Sequence, residues 1–167
     1  MSRIGSITTI RSAVFSDIDM FCIKTVSKEH LDEIAEIENA CFAQPWSQKS
    51  LELLLGKQAT ALVALQGGRV VGYVGMTYVL DEGQITNLGV LPEARRHGIG
   101  RALMRELESL ALQKGIYFLS LEVRESNSAA RSLYCSLGWG ECGIRKNFYT
   151  QPLENAVVMT REIPKTD

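Results

Sequence analysis

The chain has 167 residues, with 18 Lys and Arg against 19 Asp and Glu and a formal charge of −1. That length suits a single globular domain, which runs to roughly 100 to 200 residues, and the balanced charge removes any global reason to expect direct nucleic-acid binding. Cys22, Cys41, Cys135 and Cys142 form no Cys-x-x-Cys pair and His30 and His97 stand far apart, so no metal is expected. With no signal-peptide pattern and no long apolar run, the protein is expected in the cytoplasm, off the membrane, with reduced thiols.

Residues 1–19 show no sustained period and read as a flexible N-terminal extension, with Met20 as the natural start of a domain running over 20–167. Residues 21–26 read as a strand. Ser27 then caps a helix carrying Leu31, Ile34, Ala35 and Ile37 at helical spacing and ending before Pro45. Ser47 offers a second N-cap to a short helix with Leu51, Leu54 and Leu55 that stops at Gly56. Residues 59–65, the Gly67-Gly68 turn, residues 70–79 and residues 84–90 predict an antiparallel meander.

After Pro92 an Arg- and Gly-rich loop enters a helix with Ile99, Leu103, Leu107 and Leu110 on one face. Gly115 closes it, and residues 116–123 return to the sheet, by a right-handed crossover if the pairing is parallel. A last helix over 126–137 ends at Gly138. Strands at 139–144 and 156–159 follow, separated by the polar, aromatic stretch 145–154. The order βααβββαβαββ predicts an α/β fold in the mixed sense: a mostly antiparallel sheet of six to seven strands with four helices on its faces.

The segment from Leu88 through Arg101 runs from a strand into a helix through Arg96-His97-Gly98-Ile99-Gly100-Arg101, an Arg-x-x-Gly-x-Gly pattern. A helix start exposes N–H groups without internal partners, and these with the dipole form an anion site. Gly98 and Gly100 allow close approach to that backbone, and Arg95, Arg96 and Arg101 supply positive charge. A glycine turn with solvated arginines is the bland alternative. The pattern is neither a Walker P-loop nor a dinucleotide fingerprint, so the pyrophosphate carrier is of another kind.

Together with the following helix, strand, Asn127 and aromatic helix, this run resembles the GNAT N-acetyltransferase superfamily. Within it the runs 40–47, 121–127 and 133–139 look like the ribosomal-protein-alanine N-acetyltransferases, and the resemblance spans about residues 21 to 162. It implies acetyl-coenzyme A as acetyl donor, with a pantetheine arm entering between splayed strands that end near Val90 and Val123. Leu88, Gly89 and Val90 would border that arm, Leu88 and Val90 pairing with it through their backbones. Arg95, Arg96, His97, Gly98, Ile99, Gly100 and Arg101 would hold the pyrophosphate, and Asn127 would bind further along. Glu122 matches the proposed general base and Tyr134 the proposed general acid.

The resemblance also puts Phe42, Trp46 and Tyr149 beside an acceptor channel. Trp46 reads equally as an anchor of the second helix, and Glu38 as part of a solvated helix face or, alternatively, as a contact for the acceptor amine. Gly89 departs from the usual pattern and is expected to loosen its strand.

The implied acceptor is the N-terminal α-amine of a protein, specifically the N-terminal alanine of a small-subunit ribosomal protein. The alternatives are a small-molecule amine or a non-catalytic acyl-CoA sensor; the protein itself is expected as a monomer or weak homodimer. An α-amine with a pKa of about 7.7–8.0 is roughly one-tenth to one-fifth neutral at pH 7, whereas a lysine near ~10.4 is neutral in fewer than about one molecule in a thousand. N-termini are the easier substrate. Cys135 adjoins Tyr134, but helix neighbours point about 100° apart, so direct transfer is preferred to an acetyl-cysteine.

Overall fold

The computed structural model describes residues 8–10 and 20–165. Thr8–Ile10 form a short strand, β1, on the edge of β2 (Phe21–Thr25). The rest of the segment expected to be a flexible extension, 1–7 and 11–19, lies outside the described residues. A 3₁₀ turn over Lys28–His30 leads into α1 (Leu31–Cys41), and Ser47 accepts from the Ser50 N–H at 3.1 Å to start α2 (Gln48–Leu51). A 3₁₀ turn over Glu52–Leu55 completes that segment.

The meander follows as β3 (Ala59–Gln66), β4 (Arg69–Val79) and β5 (Glu82–Val90), each pair antiparallel. Next come α3 (Ile99–Gln113), β6 (Phe118–Arg124), α4 (Ser128–Ser136), β7 (Gly140–Thr150) and β8 (Leu153–Glu162). The sheet order is β1-β2-β3-β4-β5-β6-β8-β7; seven of these strands follow residue 20, as the hydrophobic pattern predicts.

Two departures matter. The stretch 145–154, expected to separate the last two strands, is mostly strand itself: β7 runs to Thr150 and β8 begins at Leu153. Nearly all of β7 is exposed and its pairing with β8 is irregular between Arg145 and Tyr149, so it lacks the apolar alternation that marks a half-buried strand. The second is a bulge in β5, where Asn87 pairs with Gly75 but Ile85 pairs with the next residue, Met76. Thr86 is therefore the extra residue, and Gln84 and Asn87 fall on the same face of the sheet.

Helices cover both faces. A β-carbon on Gly72 would lie 3.1 Å from Ile99 and 3.3 Å from Leu103 of α3, whereas one on Gly75, three residues along, would meet Leu54 beside α2. α1 and α2 thus share one face and α3 lies on the other. The central strands are buried on both sides: Tyr73, Val74 and Met76 of β4 have no exposed surface, and neither do Leu103, Met104 and Leu107 of α3. Burying each such side chain contributes about 1.5–3 kcal/mol to holding the central strands and α3 together.

Candidate functional site

β5 and β6 pair in parallel only over Glu82–Phe118, Gly83–Leu119 and Gln84–Ser120. Beyond Gln84 the strands part, and a gap opens toward Val90 and Val123. Along an antiparallel pair, alternate residues direct their backbone groups to opposite sides. The Leu91 N–H donates to Val71 of β4 at 2.8 Å, which directs Gly89 toward β4 and Leu88 and Val90 into the gap. The Val90 carbonyl is engaged there, accepting from the Cys41 thiol at 3.3 Å and from Arg95 Nε at 3.0 Å.

Gly89 has a packing reason. A β-carbon would stand 2.8 Å from Ile37 Cγ2 and 3.4 Å from the Phe42 ring, so the glycine lets α1 lie against β5.

At the far end of the gap Arg96 (φ 65°) and Gly98 (φ 80°) are left-handed. Such turns draw successive N–H groups into a concave anion nest. The first α-helical bond runs from the Ala102 N–H to the Gly98 carbonyl at 3.0 Å, leaving the N–H groups of Ile99, Gly100 and Arg101 without helical partners. This nest floors a groove of about 740 Å³ lined by all the predicted cofactor residues except His97, together with Phe42 and Cys41. His97 lines a neighbouring hollow with Phe21 and Arg105, its Nδ1 3.3 Å from the Ala94 carbonyl.

Asn127 caps α4, its Oδ1 accepting from the Ala130 N–H at 3.2 Å. The amide NH2 is the group left to meet a ligand in the groove.

Glu122, Tyr134 and Tyr149 form a second cluster. Glu122 sits two residues past the last β5–β6 pair, its side chain 14 % exposed. One carboxylate oxygen accepts from Gln84 Nε2 at 2.9 Å, and the other lies 3.5 Å from Arg145 Nε. Tyr134 is buried, its ring centroid 6.0 Å from that of Trp139; burial first, and the nearby Tyr149 second, push its phenol well above the usual range. Burial also raises Tyr149, opposed by the Arg124 cation and reinforced by Glu122 and Glu154.

Tyr149 therefore links the two predicted catalytic residues. It is held from below by Arg124, whose guanidinium lies 4.3 Å from its ring centroid and donates to the Gln151 and Pro152 carbonyls at 3.0 Å each. Cys135 is exposed where Tyr134 is buried, the divergence expected of helix neighbours.

Glu38 corrects the expectation of a solvated face: it has no exposed surface. Its carboxylate accepts from the Trp46 N–H at 2.8 Å, Asn87 Nδ2 at 2.9 Å and the Tyr73 hydroxyl, the donor set that a buried charge requires. Trp46 is partly buried against the core, matching the anchoring alternative, and Gln44 of the same loop donates to Thr150 Oγ1 at 3.0 Å, joining this loop to the β7–β8 hairpin.

Sequence reasoning missed Gln84, Arg124 and Arg145, because their roles depend on where β5 and β6 part and how β7 and β8 pair, neither of which leaves a local signal. Among the described residues there is no cluster of three potential metal ligands, and no helix is long and apolar enough to cross a membrane.

Residues 31–139 match the family model described as the acetyltransferase (GNAT) family. A protein from Bacillus subtilis (strain 168) is 40 % identical over 139 residues, 82 % of this chain and 92 % of that protein. The Escherichia coli (strain K12) ribosomal protein bS18-alanine N-acetyltransferase is 36 % identical over 146 residues, 86 % of this chain and 99 % of its own. The crystal structure of the ribosomal-protein-S18-alanine N-acetyltransferase from Escherichia coli superposes with a TM-score of 0.82 at 35 % identity, covering 89 % of this chain and 97 % of that one.

Proposed function

Because the chain belongs to the acetyltransferase (GNAT) family, we propose that it transfers acetyl from acetyl-coenzyme A to the N-terminal α-amine of a protein, with the N-terminal alanine of ribosomal protein bS18 as acceptor. The observation that carries this reading is the gap between β5 and β6, which has an anion nest at one end and, on β6, α4 and β7, the Glu122–Tyr134–Tyr149 cluster. Residues 20–167 act as one domain in this reading.

The groove fits a long pyrophosphate-bearing thioester. Nothing lies within 4 Å of a β-carbon built on Gly98, so phosphate oxygens can approach the unpaired N–H groups of residues 99–101. Arg96 and Arg101 flank them, and Arg95 joins once it leaves the Val90 carbonyl. Leu88 and Val90 offer backbone groups to the amides of the arm, and Asn127 donates from Nδ2. When bound, acetyl-coenzyme A supplies the activated acyl group.

The remaining chemistry belongs to the chain. The neutral α-amine attacks the acyl carbon while Glu122 stabilises the positive charge growing on nitrogen, then takes the released proton directly or through water. Tyr134 keeps its proton across the working pH range, since burial raises its phenol, and donates a hydrogen bond to the departing sulfur. Phe42 and Tyr149 border the acceptor's approach, and Trp46 fixes the loop beside it. The reading needs a protein N-terminus and no metal.

Thiol release from acetyl-coenzyme A, measured with peptides bearing a free or blocked N-terminal alanine, tests this. Turnover confined to the free N-terminus and cut at least a hundredfold by Glu122→Gln and Tyr134→Phe supports it. Wild-type rates in both variants, or turnover with small amines alone, would sink it.

A further inference from the structure

Glu122 has two chemically different surroundings. One oxygen faces Arg145, whose side chain is 60 % exposed and stands 3.5 Å away, an ion pair of the weak, readily exchanged kind. The other is held at 2.9 Å by Gln84 Nε2, a hydrogen bond to a charged acceptor and so of the stronger class. Gln84 is also the last β5 residue in register with β6, at the apex from which the strands part.

The Thr86 bulge turns Gln84 onto the same face as Asn87, and each of these β5 amides donates to one carboxylate, Gln84 to Glu122 and Asn87 to Glu38.

Resting on the role assigned to Glu122 above, we propose that Gln84 is a positioning residue for acetyl transfer: by anchoring one oxygen of Glu122 it sets the carboxylate's rotamer at the mouth of the gap and leaves the other oxygen for the acceptor amine. A carboxylate on a strand otherwise samples several χ wells, and without a fixed direction the stabilisation of the developing ammonium is lost from the transition state rather than from binding. The other charged and titratable groups around Glu122 and Tyr149, namely Arg145 on β7, Arg124 on β6 and Glu154 on β8, supply charge, but among the described residues only Gln84 donates a hydrogen bond of normal length to Glu122.

The test is a kinetic cycle on the full chain with acetyl-coenzyme A and a free N-terminal alanine peptide. Gln84→Leu is expected to lower kcat about tenfold, the loss of one hydrogen bond to a charged group, with KM for acetyl-coenzyme A unchanged. Gln84→His, which restores a neutral N–H donor, is expected to recover part of kcat. In the Glu122→Gln background, Gln84→Leu should cost nothing further.

A wild-type kcat for Gln84→Leu, or an equal loss in both backgrounds, would overturn the assignment. So would a raised KM for acetyl-coenzyme A at constant kcat, which would make Gln84 a staple across the gap and nothing more. Wild-type kcat in Glu122→Gln itself would instead remove the role of Glu122, on which the inference stands.

Discussion

Replacing Glu38 by alanine should destabilise the protein by about 3 kcal/mol. The carboxylate accepts from three donors, and each donor left buried and unpaired costs about 1–3 kcal/mol. Tyr73 has no exposed surface, so its hydroxyl pays in full, and Asn87 is only half-buried. Trp46 is only partly buried, and removing a buried carboxylate returns part of its desolvation cost. Glu38→Gln should cost roughly 1–2 kcal/mol, because its NH2 must face one of the donors.

For a chain of this length, 3 kcal/mol corresponds to a fall in Tm of about 6–12 °C. Urea unfolding of wild type, Glu38→Ala, Tyr73→Phe and the double variant would measure it, and the double variant should lose less than the sum of the singles. A Glu38→Ala protein within about 0.5 kcal/mol of wild type, or strict additivity with Tyr73→Phe, would show that the buried cluster does not hold these elements together.

Three further outcomes follow from named contacts. Gly89→Val should cost about 1–3 kcal/mol by overpacking, since even its β-carbon would stand 2.8 Å from Ile37; an unchanged urea midpoint would refute the close approach of α1. Asn127→Asp keeps the cap oxygen and loses the NH2 donor, so Tm should hold while KM for acetyl-coenzyme A rises roughly threefold to tenfold, whereas Asn127→Ala should also lose about 1 kcal/mol of stability.

Burial raises Glu108 above its ordinary value against the opposing pull of Trp139, Arg161 and Arg105. A raised acid stabilises the fold fully below the unfolded value near ~4.3 and loses that contribution as pH rises through the folded value. The stability of wild type relative to Glu108→Gln should therefore fall as pH rises above the ordinary carboxylate value of about 4.3, and a pH-independent difference would contradict it.

Much of this protein was legible in its residues, because the signals are local. Ser47 caps the helix it precedes, the crossing from β5 into α3 follows from Arg-x-x-Gly-x-Gly, and the predicted cofactor residues that line the groove come from one contiguous run plus Asn127. A helix start carries its unpaired N–H groups wherever the helix lies, so the anion nest needed no tertiary information. The family resemblance rests on these same runs.

Other features were settled only by how distant segments met. Glu38 lies on a helix whose sequence permits a solvated face, and it is buried because Tyr73, Asn87 and Trp46 converge on it. β7 extends beyond the strand its sequence predicts because nearly every side chain on it is exposed, leaving no alternation to detect. The bulge at Thr86 shifts side-chain facing by one residue, and only the register between β4 and β5 reveals it; without it Gln84 and Asn87 would not share a face. Sequence by itself determined the glycine-rich loop, the Ser47 cap and the order of elements, since these depend on backbone groups a few residues apart. Tertiary structure decided which oxygen of Glu122 is anchored and what brings Tyr149 beside Tyr134, because those depend on strands that part after three pairs and on partners more than ten residues away.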